Sequence, residues 1–284
     1  MNRGVLDVSV VVCTVDRPYA LERCVRALLD GAQPPAEIVV VDQSGTGACA
    51  DIAPGVVCIP AADKGISRAR NAGAAAATHD VLAFTDDDCI ATPEWLRALA
   101  NAYADDVDGV TGRVLPLPGG DGVAVSSRTS EVRRAFRGRG SVPWDIGTGG
   151  NLSLRRPAFD RVGGFDETMG PGTPGRAAED VDLLYRVVSA GCTIVYEPEA
   201  VVYHELKTRR VRLGGRFDYG YGLGTVLARH AAAGDSHARA LRRRYLAQLG
   251  RRAAASARHG DGWPTVDGAL TAAGILAASI RHRR

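Results

Sequence analysis

Val81-Leu82-Ala83-Phe84-Thr85-Asp86-Asp87-Asp88-Cys89-Ile90-Ala91-Thr92-Pro93 sets an apolar run directly against three consecutive acids. The run reads as a buried strand, and the acids stand at its carboxyl end. Like charges this close repel and raise one another's pKa. A divalent cation removes that cost, and carboxylate oxygens suit Mg2+ or Mn2+. Such a cation would hold a diphosphate, so the stretch points to an enzyme that works on a nucleotide-linked substrate. The plainer reading is charge complementarity with the helix that follows Pro93.

Upstream, strands and helices alternate. Val8-Ser9-Val10-Val11-Val12-Cys13-Thr14 and Glu37-Ile38-Val39-Val40-Val41-Asp42 are β-branched runs without helical period, and Val56 to Pro60 is a third, shorter one. Pro18 opens a helix with Leu21, Cys24, Val25, Leu28 and Leu29 on one face. Gly65 to Ala77 is a second helix, carrying Arg68, Arg70 and Asn71. This alternation predicts βαβ crossovers and a mostly parallel α/β sheet. The strands end on Thr14, Asp42 and the acidic triplet, and ligands of open α/β sheets bind at that edge. No G-x-G-x-x-G follows the first strand, so no dinucleotide fingerprint is present.

Downstream, the pattern changes. Pro116 to Gly120 is a break, and Gly147-Thr148-Gly149-Gly150-Asn151 precedes a short strand. Met169 to Arg176 holds three Gly and two Pro, and reads as a loop before a helix whose first turn is acidic, Glu179-Asp180-Val181-Asp182. Cys192 to Tyr196 and Val201 to His204 read as two further strands. Amphipathic helices are expected around 217–232, 236–257 and 265–281.

The 284 residues, 45% hydrophobic and 24% charged, describe a globular chain with ample core. The six cysteines form no C-x-x-C pair and several lie in apolar strands, so all six are expected to be reduced, as in the cytoplasm. No apolar leader precedes residue 8, and Gly268 to Ile280 is too short to span a bilayer. The net charge is only +3, yet residues 207–258 hold thirteen Lys/Arg against Asp218 and Asp235. Such a segment meets anions or is a solvated face. Nucleic acid is not expected, because no known motif or stacking aromatics accompany it.

Taken in order, Thr14-Val15-Asp16-Arg17-Pro18, Asp42, Lys64-Gly65-Ile66-Ser67-Arg68-Ala69-Arg70-Asn71, Asp86-Asp87-Asp88, Gly149-Gly150-Asn151, Gly163-Gly164-Phe165-Asp166-Glu167, Glu179-Asp180-Val181-Asp182-Leu183 and Tyr203-His204 resemble the family-2 inverting glycosyltransferases of the GT-A fold. The resemblance covers about residues 7 to 205. It implies a GT-A catalytic domain over 1–206, with a donor half to about 115 and an acceptor half over 116–206, followed by a basic helical extension over 207–284. It implies a nucleoside-diphosphate sugar donor and Mn2+ or Mg2+, with Asp88 and His204 as metal ligands; a lone His at a strand end is otherwise structural. Donor contacts would come from Thr14, Asp16, Arg17, Asp42, Lys64, Arg68, Asn71, Asp86 and Asp87. Acceptor contacts would come from Trp144, Gly150, Asn151 and Glu179, although Trp144 equally suits a core. Asp180 would be the catalytic base, because inversion needs a carboxylate to take the acceptor proton.

The chain departs from processive members in lacking Q-x-x-R-W and membrane helices, so the expectation is transfer of a single sugar, by a bacterial member in the cytoplasm. The acceptor stays open among a small molecule, a lipid-linked glycan and a protein side chain. The tail is read as a peripheral contact with the inner face of the membrane, a homodimer contact or a lid on the acceptor site. Two alternatives stand beside this. A nucleotidyltransferase would need a glycine-rich loop after the first strand, and a non-catalytic nucleotide-sugar-binding protein would have no need of a base.

Overall fold

The computed structural model describes residues 6–258 and 262–282, apart from Thr46, Ala48, Ala50 and Asp51. Its first half is β1 (Val8–Thr14), α1 (Pro18–Leu29), β2 (Glu37–Asp42), β3 (Val56–Pro60), α2 (Ile66–Ala76), β4 (Val81–Asp86), β5 (Cys89–Ala91) and α3 (Trp95–Ala102). Then come β6 (Gly109–Pro116), β7 (Arg134–Arg137), α4 (Pro143–Ile146), β8 (Leu152–Arg155), α5 (Arg156–Arg161), α6 (Glu179–Ser189) and β9 (Thr193–His204). Three helices close the chain: α7 (Arg209–Ala232), α8 (Ser236–Arg258) and α9 (Trp263–Arg281).

The strands form one sheet in the order β3-β2-β1-β4-β8-β6-β9-β5, with β7 also on β9. Strands β3, β2, β1 and β4 pair in parallel, as their β-branched runs require, whereas β5 lies antiparallel on β9. Thr14 lies opposite Asp42 and Cys13 opposite Asp86, so the polar strand ends fall side by side on one edge. Beyond β4 the sheet is mixed: β8 runs antiparallel to β4 and β6, whereas β6 and β9 are parallel. Both faces of the first half are packed. Val10, Val12 and Val40 sit with α1 and α3 on one side, and Val11, Val39 and Phe84 with α2 and α6 on the other.

Three expectations are corrected. The two short strands expected over 192–204 are one, β9, whose pairing with β6 shifts so that Gly112 meets Glu197 and Arg113 meets Val201. The extra residues include Pro198, which has no amide hydrogen for the ladder. The first tail helix begins at Arg209 rather than near 217, with Thr208 Oγ1 accepting from Val211 N–H. Arg212 and Arg216 anchor that added stretch by pairing with Asp267 of α9. Finally, the cysteines are not all free: Cys49 and Cys58 form a disulfide with a Cα–Cα separation of 5.8 Å. The β2–β3 pairing places Cys58 opposite Val40 and folds the intervening segment back, a proximity that spacing alone does not show.

Among the described residues after 207 the chain is mainly helical, and one apolar cluster joins α7, α8 and α9 to the preceding chain. Leu223, Val226, Leu227, Leu241, Tyr245 and Ile275 pack with Val142, Trp144, Met169, Val181 and Tyr185. No helix among the described residues is long and apolar enough to cross a membrane.

Candidate active site

Asp86 ends β4 and Asp87 and Asp88 form the turn before β5, so the three acids reach different partners. Asp87 turns back toward β1, where its carboxylate accepts from Thr14 Oγ1 at 2.7 Å and meets Arg17 Nη2 at 2.9 Å. Burial pushes its carboxyl up to about 6, against the opposing pull of Thr14 and Arg17. Asp86 and Asp88 converge instead with Cys89 and His204, their candidate ligand atoms all within 4.8 Å of one another.

That donor set fits a hard divalent ion. It offers two carboxylates and an imidazole whose Nδ1–H donates to the Glu205 carbonyl at 2.8 Å, leaving Nε2 toward Asp88 at 3.5 Å. Cys89 does not fit as readily, because burial pushes its thiol well up and keeps it protonated. Asp88 also meets Arg17 Nη1 and Lys207 Nζ, each at 2.8 Å. Burial raises its carboxyl, but the charges of His204, Lys207 and Arg17 outweigh that and hold it below its ordinary range.

Asp86 is tied to the other end of the site by a residue the sequence reading left without a role. Arg70 is 3% exposed and donates to Asp86 at 2.8 Å and to Glu179 at 3.0 Å. Burial opposes its charge, but Asp86 and Glu179 more than restore it. Glu179 goes the other way: burial and the adjacent Asp180 charge outweigh Arg70 and push its carboxyl up to about 7. Asp180 accepts from the Gly149 and Val181 amides at 2.9 and 2.7 Å, which fixes its orientation. Ala178, just before this pair, is in the left-handed region at φ 64°, a strained way into a helix for a residue with a Cβ.

The glycine-rich segment is shaped by these contacts. A Cβ on Gly149 would come within 2.7 Å of the Arg70 guanidinium, and one on Gly150 within 2.8 Å of Asp86 Oδ2. Asn151 is fully buried, and its amide is spent on the scaffold. It accepts from Trp95 Nε1 and donates to the Arg113 and Ala200 carbonyls, bracing the bulge between β6 and β9.

The remaining candidates divide. Asp42 is 1% exposed, and its carboxylate accepts the Ser44 and Cys49 amides, so it shapes the loop after β2. Asn71 braces the 163–167 turn through the Phe165 backbone. Asp16, at φ 54°, lies 3.7 Å from an exposed Lys64, and Arg68 pairs with Glu167 at the surface. Trp144 is 7% exposed and packs edge-on against Tyr245 at 4.7 Å, while lining the cavity described next.

A cavity of about 470 Å3 unites the two ends of the site. Asp86, Gly150, Glu179, Asp180 and His204 line it from the sheet edge and α6. Arg128, Arg212, Arg216, Tyr219, Tyr245 and Arg252 line it from the 125–128 segment, α7 and α8. None of these last six residues is among the site residues expected from the sequence. Arg70 alone left a signal, since Ser67, Arg70 and Ala74 follow helical spacing on the buried face of α2 and a buried cation must meet acids.

The family model for glycosyl transferase family 2 matches residues 9–163, which contain the strand edge, the acidic triplet and the glycine-rich segment. The chain belongs to glycosyl transferase family 2. A glucosyl-dolichyl phosphate glucuronosyltransferase from Haloferax volcanii is 28% identical over 233 residues, 71% of this chain and 70% of that protein. A pre-mycofactocin glycosyltransferase from Mycobacterium tuberculosis is 31% identical over 240 residues, 79% of this chain but 48% of that protein, so the chain spans about half of that relative. Among solved structures, the mannosyltransferase PcManGT from Pyrobaculum calidifontis, in complex with GDP-Man and Mn2+, superposes with a TM-score of 0.64. It is 18% identical and covers 95% of this chain and 86% of its own, a likeness of fold. The family-2 glycosyltransferase therefore has the GT-A fold, with a helical C-terminal region added to it.

Proposed function

We propose that this family-2 glycosyltransferase is metal-dependent and inverting, moving one sugar from a nucleoside-diphosphate sugar to an acceptor hydroxyl. The observation that carries the reading is the shared cavity: Asp86 and His204, of the candidate cation site, line the same space as Asp180. Asp86, Asp88 and His204 would hold Mn2+ or Mg2+, and the ion when bound would stabilise the charge of a leaving diphosphate. Arg17 and Lys207, which bracket Asp88, add positive charge at that end. The loop that Asp42 holds together, with Thr14 and Asp16, would receive the nucleoside.

Asp180 would take the acceptor proton. The new C–O bond forms on the face of the anomeric carbon opposite the diphosphate, and the old bond breaks with its electron pair leaving on the phosphate oxygen. Glu179, neutral for part of the physiological range, would keep the negative charge beside Asp180 low enough for a hydroxyl to approach. Arg70 would hold Asp86 and Glu179 at a fixed separation.

Product analysis over a panel of nucleotide sugars with Mn2+ tests the reading. Release of nucleoside diphosphate is the expected outcome. With pyrophosphate added, formation of nucleoside triphosphate and sugar 1-phosphate would make the chain a nucleotidyltransferase, and saturable binding without turnover would make it a binding protein; either overturns the proposal.

A further inference from the structure

The second wall of the cavity has chemistry that donor binding leaves unused. Four guanidiniums line it, from Arg128, Arg212, Arg216 and Arg252. Asp267 of α9 answers Arg212 at 2.9 Å and Arg216 at 3.3 Å, so one carboxylate is shared between two cations. Arg128 has no ion pair among the described residues. Its Nη atoms donate to the Ser127, Trp144 and Gly147 carbonyls, and its Nε is buried with no partner. Arg252 also has no ion pair among the described residues. Asp145 is the only acid lining the cavity from the neighbouring α4.

A solvated basic face would not look like this. Apart from the exposed Arg252, these guanidiniums are half-buried around one cavity, and that of Arg128 lies along backbone carbonyls. Thr148 Oγ1, in the glycine-rich segment, is a further buried polar atom on the cavity lining with no partner. Arg17 and Lys207 already bracket Asp88 at the proposed diphosphate end, whereas these four arginines line the cavity from the 125–128 segment, α7 and α8. Tyr219 connects the two ends. Arg216 stacks over its ring at 5.1 Å, and burial, with the nearby charges of Tyr245 and Asp180, pushes its hydroxyl up.

We infer that the acceptor is an anion. Its phosphate or carboxylate group is held by Arg216 and Arg252, with the charge of Arg128 beside them, and its reacting hydroxyl is thereby presented to Asp180. A guanidinium fork matches either oxyanion bidentately, and Tyr219 and Tyr245 supply flat surface for the portion between anion and hydroxyl. The inference rests on the transferase reading and adds to it the class of acceptor.

The test uses simple probes: phenyl phosphate, benzoate and neutral benzyl alcohol, titrated calorimetrically against the full chain at low ionic strength. Wild type is expected to bind one or both anions saturably and benzyl alcohol not at all; the anion bound more tightly identifies the group. Arg252→Gln removes an exposed cation with no ion pair to break, so its fold is kept. It should weaken that binding by about tenfold, the equivalent of one charge-assisted contact. The variant Arg216→Gln should act alike, whereas Arg17→Gln, at the donor end, should leave probe binding in place. Absence of saturable anion binding, equal binding of benzyl alcohol, or undiminished binding in Arg252→Gln and Arg216→Gln would overturn the inference. If wild type releases nucleoside diphosphate and the probes fail, only the acceptor class falls. If the probes behave as expected and no diphosphate is released, it is the transferase reading that falls.

Discussion

Arg70 faces carboxylates from two distant parts of the chain, Asp86 at the end of β4 and Glu179 at the start of α6. Its almost complete burial makes each of those bonds expensive to lose, since an unpaired buried charge is costly. Glu179 adds a pH dependence whose sign follows from its carboxyl being pushed up to about 7. Between the ordinary carboxylate range and about 7 the folded state binds the proton that the unfolded state has released, so stability falls as pH rises through that window. Glu179→Gln fixes the neutral form. The melting temperature of this variant, relative to wild type, should rise as pH goes from about 4.5 to about 7. A difference that stays flat across the window would show that Glu179 is ionised throughout.

Helix α7 meets α9 through glycine. A Cβ on Gly220 would overlap the Thr271 backbone, and one on Gly274 the Phe217 carbonyl. The Tyr-Gly-Tyr-Gly-Leu-Gly run of 219–224 is therefore a close-packing surface, which the sequence reading did not extract from its amphipathic pattern. Gly220→Ala should lower stability by about 1–3 kcal/mol, the usual cost of overpacking. Gly214→Ala, in the same helix with open space around it, should instead raise stability by about 0.5–1 kcal/mol. Denaturant midpoints of the two variants should thus move in opposite directions. A second lock joins α6 to α7: Asp182 accepts from Arg186 at 2.7 Å and lies 3.4 Å from His230 Nε2. Burial raises the Asp182 carboxyl, but His230 and Arg186 outweigh it and lower the net value. That contribution is complete above the unfolded value and disappears as pH falls through the folded one. In urea titrations, the stability gap between wild type and Asp182→Asn should hold above about pH 4 and close below it. Elements of the parallel half were legible because buried β-branched runs have few alternatives. The start of α7 was not, because Arg209 to Gly215 has no apolar period and is held by ion pairs from α9.

Across the whole molecule, sequence order showed which strand ends share an edge, and so brought Thr14, Asp42 and the acidic triplet together. The same order could not show that Asp42 and Asn71 spend their side chains on loops, or that Asn151 braces a bulge, since those roles depend on partners that only packing supplies. It offered a lid on the acceptor site as one of three readings of the tail, but could not select it, because α7 and α8 follow the glycine-rich segment they face by about 60 to 110 residues. The proposed transfer needs the candidate cation site and Asp180, as base, to act on one space, and Asp86, His204 and Asp180 line the same cavity. Its most direct test compares nucleotide-sugar turnover in wild type, Asp88→Ala and Asp180→Asn, with donor binding measured alongside. Asp88→Ala should lose Mn2+-dependent donor binding. Asp180→Asn should bind donor normally and turn over about 10²–10⁴-fold more slowly, the usual worth of a general base. Full turnover in Asp180→Asn would contradict the account.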